Sequence, residues 1–295
     1  MDRREFLKKS MLLTAGAMVG GSLFSEATLS AAQSGSAAGK KKTIGLQLYS
    51  IGGDMGKDAA GSLKKISDMG YSAAETASYG DGKFYGRTPA EFRKMAEDVG
   101  IRVTGAHLGR GYDAGWEDWW KQACDAQAAV GGKYIVLPGI DFGKTEADLK
   151  RTCEYFDKVG AIANAAGLKF GYHNHAHEFN KQDGYVIENY LLEHTDPEKV
   201  MFELDVYWAS KGGVNPSAYI QKYAGRFPLL HIKDDNVIGA SQTIDFEAIF
   251  NAAYKQGLEA YYVEIEANDI PPMECADRAQ DADLLRALEH GDIGD

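Results

Sequence analysis

From residue 43 onward the chain repeats one pattern: a short apolar run, a polar turn, an amphipathic stretch, a glycine, then the next run. In the amphipathic stretches Leu149, Cys153, Phe156 and Val159 fall at helical spacing, as do Phe246, Ile249 and Phe250. Each set predicts a helix with one face on a core. Glycine closes these stretches at Met69-Gly70-Tyr71, Val99-Gly100-Ile101, Gly131-Gly132, Ala166-Gly167-Leu168 and Gln256-Gly257-Leu258. A left-handed residue there ends the last helical turn. Thr88-Pro89-Ala90-Glu91 offers an N-cap, a proline at the first helical position and a capping-box carboxylate; Asn215-Pro216 and the segment from Thr145 to Asp148 are similar starts.

The apolar runs number eight: Thr43–Ser50, Tyr71–Ala77, Ile101–Leu108, Lys133–Pro138, Leu168–His173, Val200–Tyr207, Pro228–Lys233 and Tyr261–Ile265. Eight strands alternating with helices at roughly 30-residue intervals predict an α/β fold, a single-domain (β/α)8 TIM barrel over residues 43–290. A doubly wound open sheet is the competitor, but no Gly-x-Gly-x-x-Gly follows the first strand.

The first thirty or so residues break the pattern. Arg3-Arg4-Glu5-Phe6-Leu7-Lys8-Lys9 precedes an uncharged run from Ser10 to Ser25 and small residues ending in Ser30-Ala31-Ala32. Basic, apolar and small-residue segments in that order predict an export leader over residues 1–32, and the paired arginines resemble the twin-arginine signal. Periplasmic export is the expectation, with residues 33–42 as a flexible linker. The glycine-interrupted apolar run is short for a retained membrane span.

Composition adds mainly exclusions. Hydrophobic residues at 44% and charged residues at 25% are ordinary globular values, which rules out global disorder and a multi-span membrane protein. The net charge of −11 opposes nucleic-acid phosphate and anionic lipid, so neither is an expected partner once the leader is cleaved. Removing residues 1–32 takes four basic and three acidic groups and leaves −12, so the acidity belongs to the folded domain. Cys124, Cys153 and Cys275 lie far apart, without a Cys-x-x-Cys pair, and read as packing residues.

In such a barrel the C-terminal strand ends converge on one mouth. Here they carry Glu75, His107, the run Tyr172-His173-Asn174-His175-Ala176-His177-Glu178, Glu203-Leu204-Asp205, His231-Ile232-Lys233-Asp234-Asp235 and Glu264-Ile265-Glu266. Five of the chain's seven histidines fall in this set. Any one of them alone could be a helix cap or an ordinary hydrogen bonder. Together, buried carboxylates repel and resist ionisation unless a cation compensates them. A divalent ion is the simplest compensator, and mixed Asp, Glu and His donors suit manganese, magnesium, cobalt or zinc. By strand alternation Glu203 and Asp205 share a face opposite Leu204, so Glu203 is expected either to line the barrel interior just below such an ion or to support its ligands from behind.

At Phe202-Glu203-Leu204-Asp205-Val206-Tyr207-Trp208, Leu230-His231-Ile232-Lys233-Asp234 and Tyr262-Val263-Glu264 the chain resembles the sugar phosphate isomerase/epimerase proteins, the xylose isomerase-like TIM barrels. The resemblance implies one divalent ion held by Glu, Asp, His and Glu from strands five to eight. The last three fall on Asp205, His231 and Glu264. The first falls at Tyr172, so Glu178 is taken as the fourth ligand, with His173 and His175 as the other choices. The resemblance further implies Glu264 as a base that moves a proton beside a carbonyl, with His173, His175 or Glu178 as its opposite partner. It also implies Lys233 as the group that orients a substrate oxygen, the alternative being a salt bridge to Asp234 or Asp235. Glu75, His107 and Trp208 are expected at the substrate, and Tyr49, Phe84 and Trp116 are further aromatic candidates for its wall. Tyr-His-Asn-His also looks like the fifth strand of inosose dehydratase-like members, which brings in elimination beside isomerisation and epimerisation.

The expected substrate is a small-molecule carbohydrate, free or glycosidic, including an oxidised 3-keto-glycoside; export argues against a phosphorylated sugar. A homo-oligomer is compatible with all of this. Two alternatives stand: a non-catalytic carbohydrate-binding barrel, and a phosphodiesterase like the three-zinc apurinic endonucleases, which the acidic balance opposes.

Overall fold

Eight short apolar runs form the strands β1 (Gly45–Gln47), β2 (Ala73–Thr76), β3 (Arg102–Ala106), β4 (Tyr134–Leu137), β5 (Lys169–His173), β6 (Val200–Asp205), β7 (Leu229–Ile232) and β8 (Ala260–Val263). The computed structural model describes residues 44–266 and 272–277; the expected leader, the linker and the domain end at 290 lie outside the described residues, as does the Cys275 side chain. All pairings among the eight are parallel, in the order β3-β2-β1-β8-β7-β6-β5-β4. A parallel bridge between His107 and Val136 joins the two end strands and nearly closes the ring. Helices connect successive strands, so the expected (β/α)8 barrel is the fold.

Local signals act as the sequence implies. Thr88 and Thr145 form capping boxes with Glu91 and Asp148, and Asn215 accepts from the Ala218 N–H. Gly70 ends its helix at φ 106°, a conformation that side chains with a Cβ rarely adopt. Leu149, Cys153, Phe156 and Val159 are buried on the helix Glu146–Ala165. Cys124 and Cys153 are free and buried, and burial pushes both thiols up to about 12, which leaves them as packing groups. Phe84 packs on Tyr79 and Phe92, and Trp116 on Tyr112 and Tyr155; both belong to packing layers rather than to a substrate wall.

Two of the strands that end sooner than their apolar runs are stopped by a side-chain cap. β1 stops at Gln47 because the Gln47 side chain accepts from the Tyr49 N–H and starts a 3-10 turn over Leu48–Ile51. β6 stops at Asp205, whose Oδ1 accepts from the Trp208 N–H at 2.7 Å and caps the helix Val206–Lys211. At the opposite end of the barrel Glu259 accepts from Lys133, Lys169 and the Tyr134 hydroxyl, tying β8 to β4 and β5. Among the described residues no helix is long and apolar enough to cross a membrane.

Candidate metal centre

Register assembles the site. Glu203 lies beside His173, Asp205 beside His231 and Gln47 beside Glu75, each pair on neighbouring parallel strands and therefore on one face. These inward faces bring two carboxylates and three imidazoles onto the barrel axis. His107 Nε2 is 2.7 Å from Glu203 Oε2 and 3.3 Å from Glu75 Oε2. His231 Nε2 is 2.8 Å from Glu75 Oε2 and 3.1 Å from Glu203 Oε2. Gln47 donates to Glu75 at 2.7 Å. His173 Nδ1 comes within 3.3 Å of Glu203 but out of hydrogen-bond alignment, and it has no other partner.

Burial alone would neutralise every one of these groups; their mutual attraction decides which stay charged. Burial raises Glu203, but the imidazoles, His231 foremost, outweigh it and hold its carboxyl well below the usual range. Burial lowers His107 and His231, yet the facing carboxylates lift both above an ordinary imidazole. Burial, reinforced by Glu203, raises Glu75. Burial and the neighbouring His231 push His173 down to about 3, so it stays neutral.

Above this cluster His173, Asp205, His231 and Glu264 each present a ligand atom within 4.8 Å of the others. Asp205 is fully buried, with Oδ1 used as the helix cap and Oδ2 lacking any partner. Asn174 grips its backbone from both sides, accepting from the Asp205 N–H at 3.0 Å and donating to the Asp205 carbonyl at 3.3 Å. Burial lifts the Asp205 carboxyl to about 7; Lys233 opposes the rise and Glu264 adds to it. Burial raises Glu264 too, but His231 and Lys233 reverse it and keep that carboxyl ionised. A partnerless buried carboxylate oxygen beside a second carboxylate and two imidazoles fits a divalent cation. The Nε2 of His231 faces Glu75 and Glu203, which turns its Nδ1, 3.3 Å from Glu264, into the group of four.

The structure brings Asp205, His231 and Glu264 together with His173, one of the other choices for the fourth place, while Glu178 stands elsewhere. Tyr172 turns out to the helix layer, stacked on Phe156 at 5.2 Å, and its hydroxyl donates to Glu178 at 2.6 Å. Glu178 also accepts from the His175 N–H and groups with His175 and His177. Tyr172 and His173 face opposite ways by strand alternation, and the register with Glu203 puts His173 on the barrel side. Glu75 and His107, expected at the substrate, lie beneath the mouth and hold the axis cluster instead. Sequence reading singled out neither Gln47 nor Asn174 for a role.

Lys233 is almost fully buried, 3.3 Å from Glu264 and 2.5 Å from Glu266, with its ammonium 5.0 Å from the Trp208 ring. Those are its salt-bridge partners, not Asp234 or Asp235. Burial would lower the ammonium, but Glu264, Asp205 and Glu266 raise it, so it remains charged. A cavity of about 870 Å³ opens over the mouth, lined by Tyr49, Tyr207, Trp208, Lys233, Asp234 and Glu266 among others. Tyr49 is 60% exposed there.

Residues 63–288 match the family described as the xylose isomerase-like TIM barrel. A crystal structure of a sugar phosphate isomerase/epimerase from Parabacteroides distasonis ATCC 8503 is 34% identical, with a TM-score of 0.79 over 85% of this chain and 98% of that one. D-psicose 3-epimerase from Clostridium cellulolyticum H10, solved with D-tagatose, shares the fold at 16% identity, with a TM-score of 0.61 over 83% of this chain and 99% of that one. Inosose dehydratase of Geobacillus kaustophilus (strain HTA426) is 22% identical over 202 residues, which span 58% of this chain and 60% of the dehydratase, less than two thirds of that relative's length. With its fold and a match over most of its length, the chain belongs to the xylose isomerase-like TIM barrel family.

Proposed function

We propose that this protein is an exported, metal-dependent enzyme that removes a proton beside the carbonyl of a keto-sugar or sugar derivative, leading to isomerisation, epimerisation or elimination. The observation that carries the reading is the convergence of His173, Asp205, His231 and Glu264, with the partnerless Asp205 Oδ2 among them and Lys233 at the cavity wall. When bound, a divalent ion supplies polarisation of the carbonyl and offsets the charge of the enediolate. Two imidazoles among four donors favour manganese, cobalt or zinc over magnesium.

The chain's own groups divide the remaining work. Glu264, kept ionised by His231 and Lys233, accepts the proton. Lys233, kept charged, donates to an oxygen that gains negative charge. His173 serves as a ligand and leaves proton transfer to Glu264. Trp208 and Tyr49 offer aromatic faces to a sugar ring. Asp234, Asp235 and Glu266 line the cavity, and its lysine is already paired, which favours an unphosphorylated carbohydrate.

The pair of working groups is a carboxylate and an ammonium, not two facing glutamates, because β5 turns His173, not a glutamate, into the group of four. That asymmetry favours isomerisation or elimination over a symmetrical two-base epimerisation, and the likeness to an inosose dehydratase supports elimination. The test is incubation of the manganese-loaded protein with keto-sugars, inososes and 3-keto-glycosides in heavy water, read by NMR. Deuterium at the carbon beside the carbonyl, with or without loss of a leaving group, is expected. Carbohydrate binding with no exchange or turnover would assign a binding barrel, and cleavage of an abasic DNA duplex would assign the phosphodiesterase.

A further inference from the structure

Three of the chain's candidate ligands stand apart from the four that converge at the mouth. His175 and His177 lie on the segment after β5, and Glu178 follows within the 3-10 turn His177–Phe179. The two imidazoles stack with centroids 5.9 Å apart and 24° between planes. His177 Nε2 is 3.3 Å from Glu178 Oε1, and one ligand atom from each of the three lies within 4.8 Å of the others. Donors held at 2.0–2.2 Å around a tetrahedral ion stand about 3.4 Å apart. The His177–Glu178 pair is therefore already at ligand spacing, and His175 offers a ligand atom within 4.8 Å of both.

Two further observations point to a ligand rather than to packing. His175 Nδ1 is buried without any hydrogen-bond partner. Glu178 is fully buried, and its carboxylate is fixed from behind by the Tyr172 hydroxyl at 2.6 Å and the His175 N–H at 2.8 Å. Outer hydrogen bonds of that kind orient a ligating carboxylate. His177, by contrast, is 57% exposed, which gives an ion a path from solvent.

We propose that His175, His177 and Glu178 form a second metal site, which takes a borderline divalent ion such as zinc(II) and leaves open positions for water. Two imidazoles and one carboxylate are a donor set that zinc takes with an open fourth position, and they rank manganese and magnesium below zinc. The assignment removes His175 from the proton-transfer roles that the sequence suggested for it. It does not depend on the ion at the mouth, because the two sites share no ligand.

The experiment loads the full chain with zinc sulfate, removes weakly held ion by desalting, and counts zinc per chain by mass spectrometry. Wild type is expected to hold two zinc ions, His177→Ala one and Asp205→Asn one, with unchanged circular dichroism in each. Two zinc ions in His177→Ala, or a single zinc in wild type that His177→Ala retains, would overturn the second site. One zinc in His177→Ala alongside two in Asp205→Asn would keep the second site and overturn the mouth assignment.

Discussion

Glu203→Gln is the most informative single change in the barrel, because it preserves size while removing the charge on which three imidazoles converge. Glu203 is fully buried, 2.7 Å from His107 and 3.1 Å from His231. Removing one partner of a buried ion pair costs about 3–5 kcal/mol when the other charge is stranded. Here the stranded imidazoles can shed their protons, so the cost depends on pH. His107 and His231 have raised folded values, so the stability they contribute is present in full below an unfolded value of about 6.5 and is lost as pH rises through the folded ones. The expected loss in Glu203→Gln is therefore about 3 kcal/mol near pH 6, where the imidazoles must discharge or remain unpaired. At pH 9 it is smaller, since the loss falls toward about 1 kcal/mol, the net worth of a hydrogen bond, as pH rises through those folded values. Urea unfolding in EDTA at both pH values measures the gap. The variant should also bind manganese about 10- to 100-fold more weakly, since the carboxylate that fixes the His231 ring is gone. A gap that is equal at the two pH values, or larger at pH 9, would refute the reasoning.

Lys233→Met should leave manganese content unchanged and lower turnover by on the order of 100-fold with little change in KM, because the lost ammonium acts where charge develops; an unchanged turnover would remove Lys233 from the chemistry. Glu259→Gln should cost about 1–2 kcal/mol at pH 7 without altering metal content, because its two lysine partners are about half exposed and screened. Burial is the largest single influence on Glu259 and raises it, but the two lysines and Tyr134 together outweigh it and bring its carboxyl down to about 2. Its contribution is thus present above about 4.5 and lost as pH falls toward 2, so urea unfolding should show the wild-type advantage shrinking at pH 3. An advantage that persists at pH 3 would contradict the assignment.

The fold was legible because each barrel unit is written locally: capping residues, a 3.6-residue apolar period and a closing glycine recur unit by unit. Asp205, His231, Glu264 and Lys233 were legible because they end apolar runs. What could not be read was which of several adjacent polar residues after β5 reaches the mouth. That depends on the pairing of Glu203 with His173 across two strands, a long-range register that no local pattern in residues 172–178 encodes. The same holds for the short end of β6. Val206 and Tyr207 continue an apolar run, and only the Asp205 cap turns them into a helix.

The central claim is that Asp205 anchors a divalent ion at the barrel mouth. Its most direct test is manganese bound per chain after reconstitution and desalting, in wild type and in Asp205→Ala, with circular dichroism to show that the barrel is intact. Manganese is the ion of choice because the carboxylate-rich mouth holds it better than the His175–His177–Glu178 cluster would. One manganese in wild type and none in the folded variant is the expected result. Stoichiometric manganese in folded Asp205→Ala would contradict the account.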